Sequence, residues 1–192
     1  EKFIKMLKSV FNKRRVIVTG HTGFKGAWLS LWLSTLGAQV MGISSNFPSS
    51  PKIFKILNLN KKIAHKKLDI RDFSRLRNCV EKFKPDFIFH LAAESIVKKA
   101  YQNPRYAWQT NTIGTVNILE ILRHTNKNII VVFITSDKVY KNLEILRGYK
   151  ETDRLGDTDP YSASKSSADL AIQSYFKSFL VKKKNIRIAT AR

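Results

Sequence analysis

Residues 16–26, VIVTGHTGFKG, constrain this chain more than any other stretch. Val16, Ile17 and Val18 are a short β-branched run of the kind that fills a buried parallel strand, and Thr19-Gly20 ends it abruptly. From Phe24 the apolar positions Phe24, Ala27, Trp28, Leu31, Trp32 and Leu36 recur at helical spacing, and Gly37 stands where a left-handed cap belongs. A strand, a glycine turn and a helix in that order make a cradle for phosphate. Gly20 permits the tight turn, Gly23 lets backbone approach a diphosphate, and Gly26 lets helix and strand pack closely, while the helix N-terminus attracts the anion. Thr22, Phe24 and Lys25 complete the loop that would touch such a ligand. The spacing is G-x-x-G-x-x-G, not G-x-G-x-x-G. Taken alone, a glycine turn that binds nothing stays open as a reading.

The rest of the chain alternates strands and helices. Strands are predicted over residues 39–43, 63–68, 87–91, 129–134 and 185–190, and helices over 53–59, 73–83, 104–122 and 160–182. Residues 44–52, with two prolines and four serines, read as a loop, and 141–159 is the longest irregular segment. Helix-length crossovers between short apolar strands imply an α/β fold with a doubly wound parallel sheet, in which ligands bind beyond the carboxyl ends of the strands. Residues 1–13 form a basic amphipathic segment with Phe3, Ile4, Leu7, Val10 and Phe11 on one face, read as a short docking helix ahead of a domain over 14–192. The chain begins at Glu1 and stops just after NIRIAT, which reads as a strand inside a sheet. The expectation is the amino-terminal part of a longer protein.

The formal net charge of +21 raises nucleic acid as a partner, but lysines are spread over every segment and no nucleic-acid-binding motif accompanies them. The charge favours anionic small molecules instead. Cys79 is the single cysteine, which excludes a disulfide framework and a thiol metal site and points to a reducing, cytoplasmic compartment. His21, His65, His90 and His124 do not stand at metal-ligand spacing, so no metal is expected. No apolar run reaches membrane-spanning length.

Chemistry-bearing residues follow the strands. Asp69-Ile70 comes after the third, where a carboxylate can accept from an adenine amino group, and Leu91-Ala92-Ala93-Glu94-Ser95 after the fourth, where small residues let backbone lie against a cofactor. Thr135-Ser136-Asp137-Lys138 comes after the fifth. Tyr161 and Lys165 then share one helical face. A tyrosine, with an ordinary pKa of about 10, is a poor base near neutrality, and a neighbouring ammonium makes phenolate easier to form. Tyr-x-x-x-Lys alone also fits a solvated helix surface, and Asp137 with Lys138 also fits a paired surface turn.

In combination these residues resemble the extended short-chain dehydrogenase/reductase family, Rossmann-like in fold, and within it the CDP-glucose 4,6-dehydratases. The resemblance is carried by VTGHTGFKGAWLSLWLSTLGA, HLAAES, TNTIGT, TSDKVYKN and GYKETDRLGDTDPYSASK, across residues 11–179. It implies NAD in the cradle, held by Gly20, Thr22, Gly23, Phe24, Lys25, Gly26, Ser44, Asp69, Ile70, Leu91, Ala92, Ala93, Asn111, Thr135, Tyr161 and Lys165. It implies a nucleotide-sugar substrate contacted by Glu94, Ser95 and Ser136. Tyr161 would take the sugar C4 hydroxyl proton, Lys165 would hold the nicotinamide ribose, and Ser136 would bond the C4 oxygen. In the related dTDP-glucose dehydratases a Thr-Asp-Glu triplet supplies the C5 base; here Lys138 takes that place, and Asp137 would protonate the departing C6 hydroxyl. The resemblance also implies truncation before a smaller substrate-binding domain, and a homodimer through the two long helices. The sequence departs from the family rule at the end of the second strand, where Ile43-Ser44-Ser45-Asn46 offers no carboxylate for a ribose 2′-hydroxyl, so NADP stays open beside NAD. A 4-epimerase of the same family and a dinucleotide-binding module without turnover are the rival readings.

Overall fold

The computed structural model describes residues 2–46 and 53–192. Its strands are β1 (Arg15–Thr19), β2 (Gln39–Ser44), β3 (Ala64–Lys67), β4 (Phe87–His90), β5 (Ile129–Ile134) and β6 (Ile186–Ala191). Its α-helices are α1 (Lys2–Phe11), α2 (Phe24–Thr35), α3 (Ile53–Ile56), α4 (Phe73–Phe83), α5 (Val97–Gln102), α6 (Pro104–Trp108), α7 (Gly114–His124) and α8 (Pro160–Tyr175). All strand pairs are parallel, in the order β3-β2-β1-β4-β5-β6. The chain winds outward from β1 through β2 and β3, then returns to the other side of β1 with β4. That reversal opens a crevice at the carboxyl ends of β1 and β4.

Burial explains why the inner strands β1, β4 and β5 carry apolar residues on both faces. Val16 and Val18 pack with Ala27 and Leu33 of α2 and Phe54 of α3, whereas Ile17 between them enters the opposite layer with Leu76, Ile118, Leu122 and Ile172. With helices on both sides, alternate strand residues all need apolar partners.

Several expectations are corrected. The third strand is shorter than 63–68, and its four residues, Ala64–Lys67, are exposed because it is an edge strand; the flanking Ile63 and Leu68 are buried instead. On α2 the apolar residues do not form one inward stripe. Gly26, Ala27, Ser30 and Leu33 face the sheet, small enough for close approach, while Phe24, Trp28 and Trp32 stay 63%, 47% and 49% exposed. In α1 no residue is fully buried; Phe3, Ile4 and Val10 are exposed, and Phe11 packs on Phe87 with ring centroids 5.0 Å apart. The body is therefore met by the last turn of α1 rather than by the whole expected face.

The helix expected over 104–122 starts at Pro104 but widens into a π turn at Gln109–Ile113 before α7. The widening goes with two cross-links to α8: Asn111 Nδ2 donates to Ser164 Oγ at 2.9 Å and Thr112 Oγ1 to the Ser164 carbonyl at 3.0 Å. α8 likewise ends in a π turn, Phe176–Leu180, short of residue 182. The short helix expected over 53–59 divides into α3 and a 3₁₀ turn at Leu59–Lys61. Helix α5 was absent from the sequence-based assignment. Of the loop expected over 44–52, Ser44 closes β2 and residues 47–52 lie outside the described residues.

Candidate active site

The glycine turn has the geometry of a cradle. Gly20 sits at φ +73°, and a Cβ there would lie 2.8 Å from the Ala92 nitrogen; a Cβ at Gly26 would collide with the Gly20 carbonyl. Both positions therefore exclude larger residues. No side chain caps the first turn of α2 and no acidic residue occupies it, so its N-terminus keeps its affinity for an anion. Lys25 is exposed on that turn. These features fit the diphosphate of a dinucleotide.

Beneath the cradle the carboxyl ends of β1 and β2 hold a polar cluster. His21 is fully buried, with Nδ1 3.1 Å from Ser44 Oγ and Nε2 2.7 Å from His65 Nδ1. Burial, aided by the neighbouring His65, lowers its pKa to about 4, so the ring is neutral near pH 7. A Cβ at Gly42 would overlap the His21 ring, which is why β2 carries glycine there. Ser44 also accepts from the Thr22 backbone at 3.4 Å, and Thr22 Oγ1 donates to the Asn46 carbonyl at 3.0 Å. The Ser44 hydroxyl thus points inward, toward protein. Asp69 is forked by Arg71 Nε and Nη2, at 3.0 and 2.6 Å, and the guanidinium holds its carboxyl below the usual range. Ile70 packs under α7, where a side chain on Gly114 would strike it.

At the end of β4 the backbone segment Leu91-Ala92-Ala93 lies half-buried against β1: Thr19 Oγ1 accepts from the Leu91 and Ala92 nitrogens, both at 3.1 Å. His90 behind it is bonded to Thr19 and faces Thr115, and complete burial lowers its pKa to about 3. Asn111 grips Glu94 at both backbone groups, accepting its N–H at 2.8 Å and donating to its carbonyl at 3.2 Å. Ser95 is exposed at the rim.

The end of β5 faces the start of α8. Asp159 caps α8 by accepting from the Tyr161 and Ser162 nitrogens, and Pro160 occupies the first helical position. That start fixes Tyr161, which is 8% exposed and packs on Ala100 and Ala107. Lys165 is 6% exposed, and its Nζ donates to the Ile134 carbonyl at 2.9 Å. Burial lowers its pKa to about 8, with Lys25 acting in the same direction and Asp169 against it. Just beyond β5, Ser136 Oγ accepts from the Lys138 nitrogen at 3.2 Å and donates to Asp137 Oδ1 at 3.1 Å, folding a 3₁₀ turn at Asp137–Val139. Ser166 of α8 donates to the Val139 carbonyl at 2.8 Å, tying that turn to the helix. Asp137 and Lys138 are exposed and make no ion pair with each other among the described residues. A cavity of about 500 Å³ opens beside them, lined by Asp137, Tyr140, Tyr149, Glu151, Thr190 and Arg192.

The sequence-based assignment missed His21, His65, Asp169 and Arg192 as parts of this region. Asp169 was readable, since Tyr161, Lys165 and Asp169 repeat at four-residue spacing on one face.

The strand order, the glycine cradle after β1 and Tyr-x-x-x-Lys on the helix after β5 define a domain of the short-chain dehydrogenase/reductase type. The chain belongs to the GDP-mannose 4,6 dehydratase family, whose sequence model matches residues 17–190. It is 45% identical over 172 residues to the CDP-glucose 4,6-dehydratase of Salmonella typhimurium, a match covering 90% of this chain and 48% of that protein. Among solved structures it is similar to a dTDP-glucose 4,6-dehydratase double mutant from Streptomyces venezuelae with NAD bound (TM-score 0.76, 25% identity, covering 92% of this chain and 55% of that one). The UDP-glucose 4-epimerase of Thermus thermophilus in complex with NAD shares the fold (TM-score 0.77, 24% identity, covering 93% and 54%). The chain spans about half the length of the curated relatives it matches. Among the described residues no helix is long and apolar enough to cross a membrane.

Proposed function

We propose that the whole protein is an NAD-dependent nucleotide-sugar 4,6-dehydratase acting on CDP-glucose. The observation that carries this reading is the Ser136-Asp137-Lys138 turn, tied by Ser166 to the same helix that holds Tyr161 and Lys165. The Salmonella relative supports the choice of sugar nucleotide.

The cradle from Gly20 to Gly26 would hold the cofactor diphosphate, and Lys165 the nicotinamide ribose. NAD, when bound, supplies the hydride acceptor for C4 and the donor to C6. Tyr161 takes the C4 hydroxyl proton, and Ser136 donates a hydrogen bond to the C4 oxygen. With C4 a carbonyl, the C5 hydrogen is acidic, and Lys138, in its neutral form, removes it. Asp137, holding a proton, delivers it to the departing C6 hydroxyl, which leaves as water. The Lys138 ammonium, exchanging with solvent, returns a proton to C5 as C6 is reduced, and the product is a 4-keto-6-deoxy sugar nucleotide. Two acid–base residues at the carboxyl end of a central strand suit this elimination, and an epimerase has no use for a C5 base.

The inward Ser44 leaves the end of β2 without a carboxylate for a ribose 2′-hydroxyl, so cofactor choice is tested in the same experiment. The full-length chain is incubated in D₂O with NAD or NADP and separately with CDP-, dTDP-, UDP- and GDP-glucose, and the products are read by mass spectrometry and NMR. The expected outcome is loss of water from CDP-glucose with NAD, deuterium at C5, and no elimination by Lys138→Met. Inversion at C4 without dehydration would make the protein an epimerase instead, and cofactor binding without turnover a binding module.

We also propose a homodimer through the two long helical stretches that begin at Pro104 and Pro160. Trp108 of α6, Ile113 of the π turn that follows it, Leu170 of α8, and Phe176 and Phe179 of the π turn after α8 leave these stretches with exposed apolar surface, as a helix-on-helix interface between two copies requires.

A further inference from the structure

We propose that Asp169 and Arg192 are a positioning pair that sets the Ser136–Lys138 turn in register with Tyr161 and Lys165. The proposal rests on the dehydratase reading above for what the register serves. Asp169 lies one turn beyond Lys165 on α8 and is 1% exposed. Its Oδ1 accepts from Arg192 Nη2 at 2.9 Å and from Gln173 Nε2 at 2.8 Å; its Oδ2 accepts from Arg192 Nε at 3.0 Å and from Thr135 Oγ1 at 3.3 Å. Thr135 is the residue directly before the turn. Arg192 then reaches Tyr140, two residues beyond Lys138, since Nη1 donates to the Tyr140 hydroxyl at 2.9 Å and to the Glu151 carbonyl at 3.1 Å, with the guanidinium 5.2 Å from the Tyr140 ring centre. Tyr140 in turn stacks on Tyr149, centroids 5.1 Å apart and nearly parallel at 8°.

The turn is therefore bracketed on both sides by groups bonded to one largely buried ion pair that joins α8 to the residue after β6. Only a planar guanidinium can grip a carboxylate in two places and still donate to a third and fourth partner; a lysine at 192 would keep the charge and lose the fork. Net stability is a poor reason for such a pair, because taking both charges out of water offsets most of their attraction. Holding one arrangement of three chain segments is a better one. The pair also bears on Lys165, which faces Lys25 from α2, His90 from β4, and Asp169 and Tyr161 on its own helix. Asp169 favours the charged ammonium, and by Coulomb's law the guanidinium paired to that carboxylate should offset part of its charge.

The test uses the full-length chain and the variants Asp169→Asn, Arg192→Met and Arg192→Lys. Lys165 titration is followed by ¹⁵N-lysine NMR, assigned with Lys165→Arg, and kcat and KM for the sugar nucleotide are measured separately. Asp169→Asn is expected to move the Lys165 midpoint to lower pH and Arg192→Met to higher pH, although both break the same pair; a purely structural role would not separate them in direction. Arg192→Lys is expected to leave the midpoint near wild type and lower kcat at least about tenfold with little change in KM, because the turn is misplaced rather than discharged. Shifts of both single variants in the same direction, or wild-type kcat in Arg192→Lys, would overturn the proposal. Where a single variant does not fold, Asp169→Asn combined with Arg192→Gln leaves no buried charge, and wild-type kcat in that double variant overturns it equally. A wild-type chain that dehydrates no sugar defeats the dehydratase reading while the titration still decides the coupling of the pair to Lys165.

Discussion

His21 and His90 are imidazoles that the fold keeps from water, and both carry a pH dependence whose sign follows from their burial. Their pKa values fall from the ordinary 6.5 to about 4 and about 3 on folding, so between those values and 6.5 the unfolded chain binds protons that the folded chain does not. Stability is therefore full above pH 6.5 and is lost as the pH falls toward 4, with a cost on the order of several kcal/mol from the two rings together. Urea unfolding midpoints across pH 4–8 check this, and a midpoint that stays level from pH 7 to 5 contradicts it. Gly20 makes a second prediction at this scale. With φ at +73° and no room for a Cβ against Ala92, Gly20→Ala is expected to cost roughly 2 kcal/mol or more and to abolish NAD binding, as read by thermal melts with and without cofactor. Gly20 announced itself in the sequence because glycine has few other reasons to end a strand. The His21–His65 contact did not, since it joins residues far apart in the chain through neighbouring strands, and no local pattern encodes it.

Elements differ in how openly their sequences declare them. The span of α4, residues 73–83, and that of β5, residues 129–134, were both readable to the residue, one from a clean helical period and the other from an unbroken apolar run. Helix α5 was hidden because Val97–Gln102 is short and carries two lysines, and the π turn at Gln109–Ile113 because it keeps the same helical period while widening the backbone. On α2 helical spacing alone did not say which face is inward: Phe24, Trp28 and Trp32 stay exposed, and Gly26, Ala27, Ser30 and Leu33 face the sheet. The candidate site residues follow strands in the structure as they do in the sequence, whereas the bonds that tie them together have no local sequence signal. Asn111, expected as a cofactor contact, also makes such ties. Asn111→Ala removes both bonds to Glu94 and the bond to Ser164, and is expected to cost about 1–3 kcal/mol, with faster backbone exchange at Glu94 and Ser95 by hydrogen–deuterium mass spectrometry. An unchanged exchange rate there would show that the π turn does not hold the β4 loop. The long segment 141–159, irregular in sequence, is likewise well tied: Arg147 pairs with Asp153 at 2.7 Å, and Tyr149 accepts from the Leu143 nitrogen at 2.9 Å.

For the whole molecule, apolar surface and charge make separate predictions. Leu170, 54% exposed on α8, is expected to lie in the interface between copies, so Leu170→Glu should convert a dimer of the full-length chain to monomer in sedimentation runs without changing its far-ultraviolet dichroism. A dimer that survives the change would place the interface elsewhere. The net charge of +21 should speed encounter with anionic sugar nucleotides at low ionic strength, an advantage that shrinks as salt rises. The sheet order has a further consequence, in time rather than space. β1 pairs with β2 soon after both are made, but its other edge waits for β4, and Thr19 meets His90 across 71 residues of chain. During synthesis this strand, whose Val16, Ile17 and Val18 are fully buried in the folded chain, thus stands with one open edge while that length of chain is added. The closing of β4 onto β1 is the long-range step expected to limit the folding rate, and until it happens that open edge is where nascent copies would adhere to one another.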